Sequence, residues 1–187
     1  QLLLQAYAQG KPIAPLSQTF PEIDLEDAYA IQLEQIDAWK KSGKNVIGHK
    51  VGLTSLAVQK QLGVNQPDFG HLTDDMFYLS GAPIPVGTFL QPRVEPEIAF
   101  VLKKSLKGPN VTVAEAIQAV DYVVASLEIV DSRIADWKIT LTDTVADNAS
   151  SGGVVLGTKP MKLDDVDLRT LGAILYKNGQ IQQTGAG

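Results

Sequence analysis

The sequence contains no cysteine and only two histidines, His49 and His71, among 187 residues. Without cysteine there is no disulfide framework, no thiolate metal site and no thiol nucleophile. Two histidines and no thiolate also make a zinc centre a poor fit. Basic residues are in the minority: 16 Lys and Arg stand against 21 Asp and Glu, a formal net charge of -5. That balance argues against nucleic acid as the main partner, because phosphate binding needs a basic face. No apolar run approaches the roughly 18 residues needed to span a bilayer, so no membrane role is expected. The N-terminus lacks the basic, apolar and small-residue order of a signal peptide. With the missing cysteine, this gives the expectation of a cytoplasmic protein. Neither Gly-x-Gly-x-x-Gly nor a phosphate loop occurs, and Gly-x-Ser-x-Gly is absent, which removes the usual anchors for dinucleotide binding and for a serine nucleophile.

What is present is a globular chain with 44% apolar residues, long enough for one good-sized domain or a small lobe on a larger one. Leu2 to Gln9 reads as a helix stopped by Gly10, and Lys11 to Pro21, with three prolines, as a surface connection. Asp24 predicts an N-cap for a helix that buries Tyr29, Leu33 and Ile36, with Lys40, Lys41 and Gly43 closing it. Val46 to Leu53 reads as a strand, Ser55 to Leu62 as a short helix, and Val64 to Pro85 as a long loop with short strands. Beyond it, Arg93 to Leu102 and Tyr122 to Val130 are strands, separated by a helix that a Thr112/Glu115 capping box opens. Asn178-Gly179 between two apolar-containing runs predicts a type I′ hairpin. A helix-rich 1–70 followed by a strand-rich 71–187 is an α+β arrangement, not an alternating doubly wound sheet.

Five segments carry candidate chemistry. Glu95 and Glu97 project from one face of a strand, while Val94, Ile98, Phe100 and Leu102 share the opposite face and suit a core. An isolated Glu-x-Glu of this kind is also what a solvated strand face looks like. Glu128 lies in the apolar strand Val123 to Val130. A buried carboxylate needs a partner, a metal or a proton, and a salt bridge to Arg93 or Arg133 is the structural alternative. Taken together, the three carboxylates suit an all-oxygen site for a hard cation, Mg²⁺ or Mn²⁺. Lys50 sits between Gly48 and Gly52 on one strand face, which predicts open space beside an amine able to act as acid or base; the other reading is an ordinary surface lysine. Thr144 to Gly153 reads as a polar loop offering hydroxyls, an amide and backbone N–H groups to a carboxylate, or as a plain turn. Pro67 to Met76 gathers several acids and His71, and equally reads as an exposed acidic turn.

Five motifs in order carry a resemblance: Gly48-His-Lys-Val-Gly-Leu-Thr-Ser55, Gln66-Pro-Asp-Phe-Gly70, Val94-Glu-Pro-Glu-Ile-Ala99, Glu128-Ile-Val-Asp-Ser-Arg133 and Asp143-Thr-Val-Ala-Asp-Asn-Ala-Ser-Ser151. Over nearly the whole chain, the sequence resembles the fumarylacetoacetate hydrolase superfamily. Within it, the resemblance is to the branch of 2-hydroxypenta-2,4-dienoate (2-keto-4-pentenoate) hydratases and 4-oxalocrotonate decarboxylases. The resemblance implies a mixed β-sheet roll with a smaller helix-containing N-terminal lobe. It implies metal ligation by Glu95, Glu97 and Glu128, and catalytic roles for Lys50 and Asp68. Substrate contacts are implied at Thr54, Leu72, Asn148, Ser150 and Ser151. The expected substrate is a small 2-oxo or 2-hydroxy dienoate from aromatic meta-cleavage catabolism. The expected assembly is a homo-oligomer, with a complex between the hydratase and decarboxylase of the pathway as a further implied partnership.

Within the branch, Ile134 to Thr140, Thr144 to Asn148 and Leu72 to Met76 look like the hydratases, whereas Asp165 to Gly172 and Thr184 to Gly187 are similar to the decarboxylases. Hydration of 2-hydroxypenta-2,4-dienoate is the expected activity. The alternatives are 4-oxalocrotonate decarboxylation, hydration of the diacid 2-oxohept-4-ene-1,7-dioate, and a non-catalytic or inactive fragment of the same fold. A start at Gln1 without methionine and a stop at Gly187 lead to the expectation that the 71–187 part continues past its present C-terminal end.

Overall fold

A computed structural model describes residues 1–186; Gly187, the last residue of the Thr184–Gly187 motif, lies outside the described residues. In chain order the elements are α1 (Leu2–Gln9), α2 (Leu16–Thr19), α3 (Leu25–Lys41), β1 (Val46–Gly52), α4 (Leu56–Leu62), β2 (Asp68–Thr73), β3 (Phe77–Tyr78), β4 (Arg93–Leu102), α5 (Val113–Ala119), β5 (Val120–Val130), α6 (Leu141–Ala146), β6 (Ser151–Leu156), β7 (Gly172–Lys177) and β8 (Gln180–Ala186). This is an α+β chain. It forms two compact units, the first from Gln1–Val94 and Ile129–Val154, the second from Glu95–Glu128 and the described residues from Val155 on. Among the described residues, no helix is long and apolar enough to cross a membrane.

In the first unit the helix caps follow the local sequence. Gly10 adopts φ 61° and ends α1, a left-handed stop that glycine takes without steric cost. The Asp24 carboxylate accepts from the Asp27 N–H at 2.9 Å while Asp27 accepts from the Asp24 N–H, a reciprocal box that starts α3. The buried face of α3 is only in part the expected one: Ile36 is buried and Tyr29 packs half-buried against the core, but Leu33 turns outward. Leu33 is 53% exposed, and the face that turns inward is Ala28, Gln32, Gln35, Ile36 and Trp39. The two glutamines are there for a reason that hydropathy does not carry. The last carbonyls of a helix have no partner inside it. Gln32 Nε2 donates to the Val145 carbonyl at 2.8 Å and Gln35 Nε2 to the Ala146 carbonyl at 2.6 Å, at the end of α6. Ala28, Leu3, Leu16, Ile134, Val145 and Ala146 make the apolar core of this unit.

The connection 11–21 is more ordered than its three prolines predict, because Leu16–Thr19 closes one helical turn. Asp143 holds it: this buried carboxylate accepts from the Ser17 N–H at 2.9 Å and the Ser17 hydroxyl at 2.6 Å, while also capping α6 with Thr140. The 64–85 segment carries the six-residue strand β2 as well as the short β3. β2 pairs antiparallel with β1, setting Lys50 opposite Gly70, Gly52 opposite Asp68 and His49 opposite His71. β3 and β6 are neighbours in the larger sheet.

In the second unit β4 and β5 are neighbouring strands. β7 and β8 form the expected hairpin, with Asn178 at φ 53° and Gly179 at φ 76° in its turn. The β4 face expected to be core is instead largely open. Phe100 is 51% exposed and Leu102 45%. Both line an apolar cleft of about 350 Å³ with Leu106, Val113, Ile117 and Leu163. Alternation identified the apolar face correctly, but burial depends on what packs over it. Val94, on the first-unit end of the strand, is likewise 46% exposed.

Asp143 generates a stability prediction. Burial alone pushes its carboxyl pKa up, but the Ser17 and Thr140 hydrogen bonds outweigh that and leave it below the ordinary value. Asp143→Ala removes a cap and two long-range hydrogen bonds, an expected loss of about 3 kcal/mol in urea unfolding. A depressed native pKa stabilises above the unfolded pKa, so the difference from wild type holds above about pH 5 and shrinks as pH falls through the carboxylate range. A pH-independent difference contradicts this account.

Candidate functional site

The second unit brings Glu95, Glu97 and Glu128 together. β4 projects Glu95 and Glu97 to one side by its two-residue period, and the neighbouring β5 supplies Glu128. One carboxylate oxygen from each lies within 4.8 Å of the others; Glu95 and Glu97 are exposed and Glu128 is buried. Oxygen ligands sit about 2.0–2.6 Å from Mg²⁺ or Ca²⁺, so two ligands of one ion are at most about 4–5 Å apart. The cluster meets that limit. Its donor set is oxygen only, which suits a hard cation and not a thiophilic one. Three carboxylates this close repel one another, and a divalent cation replaces the repulsion with attraction.

The first unit holds the other candidates. Gly48, Lys50 and Gly52 are the half-buried face of β1. The space expected beside the amine is filled. A Cβ at Gly52 would run into the Asp68 carboxylate, and one at Gly48 would touch Phe77 and Leu72 at 3.6 and 3.8 Å. Lys50 Nζ donates to the Ala149 carbonyl at 3.0 Å. Asp68 is 5% exposed, and its Oδ1 is buried with no hydrogen-bond partner. Burial pushes the Asp68 carboxyl pKa up, against the opposing pull of the Lys50 ammonium. Thr54 is exposed in the loop after β1, and Leu72 is buried on β2.

Thr144 to Gly153 is not a surface loop. Thr144 to Ala146 complete α6, and residues 145–151 are buried. Asn148, Ala149 and Ser150 are three consecutive non-glycine residues with φ of 53°, 51° and 53°. Their side chains and flanks bond inward. The Asn148 amide accepts from the His71 N–H and donates to the His71 carbonyl, both at 2.8 Å. Ser151 Oγ donates to the Asn148 carbonyl at 2.7 Å, and Ser150 Oγ pairs with Thr144 Oγ1 at 2.8 Å. His71 Nδ1 lies 3.0 Å from Gln32 Oε1. Because Gln32 Nε2 already donates to the Val145 and Phe69 carbonyls, Oε1 is the accepting end and His71 carries its proton on Nδ1. Burial lowers the pKa of both His49 and His71.

Reasoning from the sequence did not find what holds this turn. Arg133 is fully buried; its Nε donates to Asp147 Oδ1 at 2.6 Å, Nη2 to the Asp147 carbonyl at 2.9 Å and Nη1 to the Ser151 carbonyl at 3.0 Å. Its backbone N–H reaches the other Asp147 oxygen at 2.9 Å, Asp131 lies 3.6 Å away, and the guanidinium stacks 4.3 Å over the Tyr7 ring. Burial raises the Asp147 pKa to about 6 even though Arg133 pulls the other way. Charged residues in a polar stretch read as solvated, and the one role the sequence suggested for Arg133 was a salt bridge to Glu128, so no local signal pointed to this cluster.

A mixed helix-and-sheet scaffold carrying three carboxylates that could hold a hard cation fits the class of metal-dependent enzymes. No family model matches the chain, but comparison with individual proteins is decisive. It is 52% identical over all 187 residues to the 2-keto-4-pentenoate hydratase of Paraburkholderia xenovorans, spanning 70% of that protein. It is 50% identical over 186 residues to a 2-hydroxypent-2,4-dienoate hydratase of Pseudomonas putida, spanning 84% of it. The 4-oxalocrotonate decarboxylase of Pseudomonas putida G7, solved with magnesium and adipate, superposes with a TM-score of 0.92 at 36% identity, over 98% of this chain and 70% of that one. The chain belongs to the 2-keto-4-pentenoate hydratase family.

The carboxylate cluster predicts a direct response to cation. Ligands that bind only the folded state stabilise it, so Mg²⁺ raises the midpoint of thermal unfolding, and Glu128→Gln removes most of that rise. A variant that shifts as far as wild type contradicts cation binding at these carboxylates.

Proposed function

We propose that this protein is a divalent-metal-dependent hydratase that adds water to 2-hydroxypenta-2,4-dienoate, giving 4-hydroxy-2-oxopentanoate in aromatic meta-cleavage catabolism. The observation that carries the reading is the Glu95, Glu97 and Glu128 oxygen cluster, on a chain half identical to named hydratases. Those three residues would hold Mg²⁺ or Mn²⁺. The cation, when bound, supplies Lewis-acid stabilisation of the negative charge that builds on the substrate's 2-oxygen.

Lys50 and Asp68 are assigned the proton transfers. The 2-hydroxyl loses a proton and C5 gains one, which turns the dienol into a ketone conjugated to a C3–C4 double bond. Water oxygen then bonds to C4 while C3 takes a proton, and the atoms balance as substrate plus one water. Asp68, its pKa raised by burial, suits a group that both takes and gives a proton. Thr54, exposed on its loop, is assigned direct contact with substrate. Leu72, Asn148, Ser150 and Ser151 are assigned to shaping the pocket, since their side chains are buried and the polar ones are bonded inward. The fold is read as the roll of the fumarylacetoacetate hydrolase superfamily, and the working form as a homo-oligomer.

A second reading is 4-oxalocrotonate decarboxylation, favoured by the 0.92 superposition on that enzyme. Loss of CO₂ there also leaves negative charge on a 2-oxygen, so one set of residues serves both reactions and the fold does not choose. Identity favours hydration, at 50–52% to hydratases against 36% to the decarboxylase. Each substrate supplied in turn with Mg²⁺ separates them. The expected result is 4-hydroxy-2-oxopentanoate from the dienoate and little CO₂ from 4-oxalocrotonate; CO₂ as the main product reverses the assignment. Lys50→Met is expected to lower turnover at least about 100-fold while leaving the Mg²⁺ thermal shift intact. Wild-type turnover in that variant removes Lys50 from the chemistry.

A further inference from the structure

The left-handed run Asn148–Ser150 is costly. A non-glycine residue there loses about 1–2 kcal/mol against the ordinary helical region, and such strain persists only where the surroundings over-determine it. Arg133 supplies that over-determination. Its guanidinium ties together the residue before the run, Asp147, and the residue after it, Ser151, with three hydrogen bonds of 2.6–3.0 Å. The strand β2 is cut to receive the turn. Gly70 lies opposite Lys50, and a Cβ there would collide with the Asn148 carbonyl and come within 2.6 Å of Ser151 Oγ. The centre of the run points one group at the candidate chemistry, the Ala149 carbonyl, which accepts from Lys50 Nζ at 3.0 Å. An ammonium on a flexible four-carbon stem samples many rotamers. A carbonyl fixed in space selects among them.

We propose that Arg133 is a positioning residue for the reaction: by clamping Asp147 and Ser151 it sets the left-handed turn whose Ala149 carbonyl aims the Lys50 amine. The proposal deepens the reading of Lys50 as a proton carrier and rests on it. Arg133 makes no contact with substrate in this scheme. Its effect is on where Lys50 stands, so it acts on turnover and not on substrate binding.

The test uses the full chain with Mg²⁺ and whichever of the two substrates wild type converts. Arg133→Lys keeps the charge but offers one nitrogen where three are used, so it releases at least one end of the turn. The expected result is a kcat about ten-fold lower or less still, with KM within about three-fold of wild type, the signature of an interaction used only in the transition state. Gly70→Ala displaces the same turn from the other side without touching the guanidinium. It is expected to show the same pattern, and it decides the matter if Arg133→Lys does not fold. Folded variants with wild-type kcat overturn the proposal, as does a KM that rises in step with a falling kcat. Lys50→Met measured alongside separates the two levels. If it loses turnover while the folded Arg133 and Gly70 variants do not, only the positioning role falls. If it keeps turnover, the role of Lys50 falls and the positioning role falls with it.

Discussion

A guanidinium shut away from water must find its hydrogen bonds inside the protein, and in the first unit each nitrogen of the Arg133 guanidinium donates to Asp147 or to the Ser151 carbonyl. Much of that unit is arranged around this demand. Asp131, 3.6 Å from the guanidinium, spends its carboxylate on the Leu90 and Gln91 N–H groups. Gln91 in turn donates to the Ser132 and Ile134 carbonyls and accepts from the Trp137 indole through its own carbonyl. Ile13, beside Ile134, then donates its N–H to the Arg133 carbonyl and accepts from the Ala135 N–H, both at 2.8 Å, which ties the N-terminal segment down. Buried ion pairs of this kind are weak sources of net stability, since well-packed apolar residues often do as well. What the cluster provides is definition: it leaves the chain from Asp147 to Ser151 one way to run.

The second unit poses the reverse problem. Three carboxylates within 4.8 Å of one another repel, and their arrangement suits a cradle for a cation. The strand pair does the positioning cheaply. Two ligands come from the two-residue period of β4 and the third from its neighbour β5, so no loop has to be held in place. Such rigid placement is what a catalytic cation requires, because small displacements of ligands alter the charge it can stabilise.

Local features of the sequence were legible and distant ones were not. The caps at Asp24 and Thr112, the stop at Gly10, the strand Arg93–Leu102 and the Asn178-Gly179 turn all depend on residues within a few positions of one another. The parts of the carboxylate cluster were legible singly, since Glu95 and Glu97 share a face by period alone and Glu128 stands out as a charge inside an apolar strand, while their meeting depends on the pairing of β4 with β5. On α3 Ile36 was placed inside correctly and Leu33 was not, because Gln32 and Gln35 are made acceptable inside by carbonyls 113 and 111 residues away. The burial of the Thr144–Gly153 segment was not legible for the same reason. Its polarity suggests solvent, yet its partners are Arg133 and the His71 backbone. Composition reports polarity, whereas burial is decided by whether a partner waits at the other end of the chain.

The central claim is that this chain hydrates a small dienoate with the help of a hard cation held by Glu95, Glu97 and Glu128. The most direct measurement follows 2-hydroxypenta-2,4-dienoate consumption by protein stripped with a chelator and then given Mg²⁺. The account predicts no conversion by the stripped protein, recovery of 4-hydroxy-2-oxopentanoate formation on adding Mg²⁺, and no recovery in Glu97→Gln. Conversion at the same rate by stripped protein, or full recovery in the variant, contradicts it.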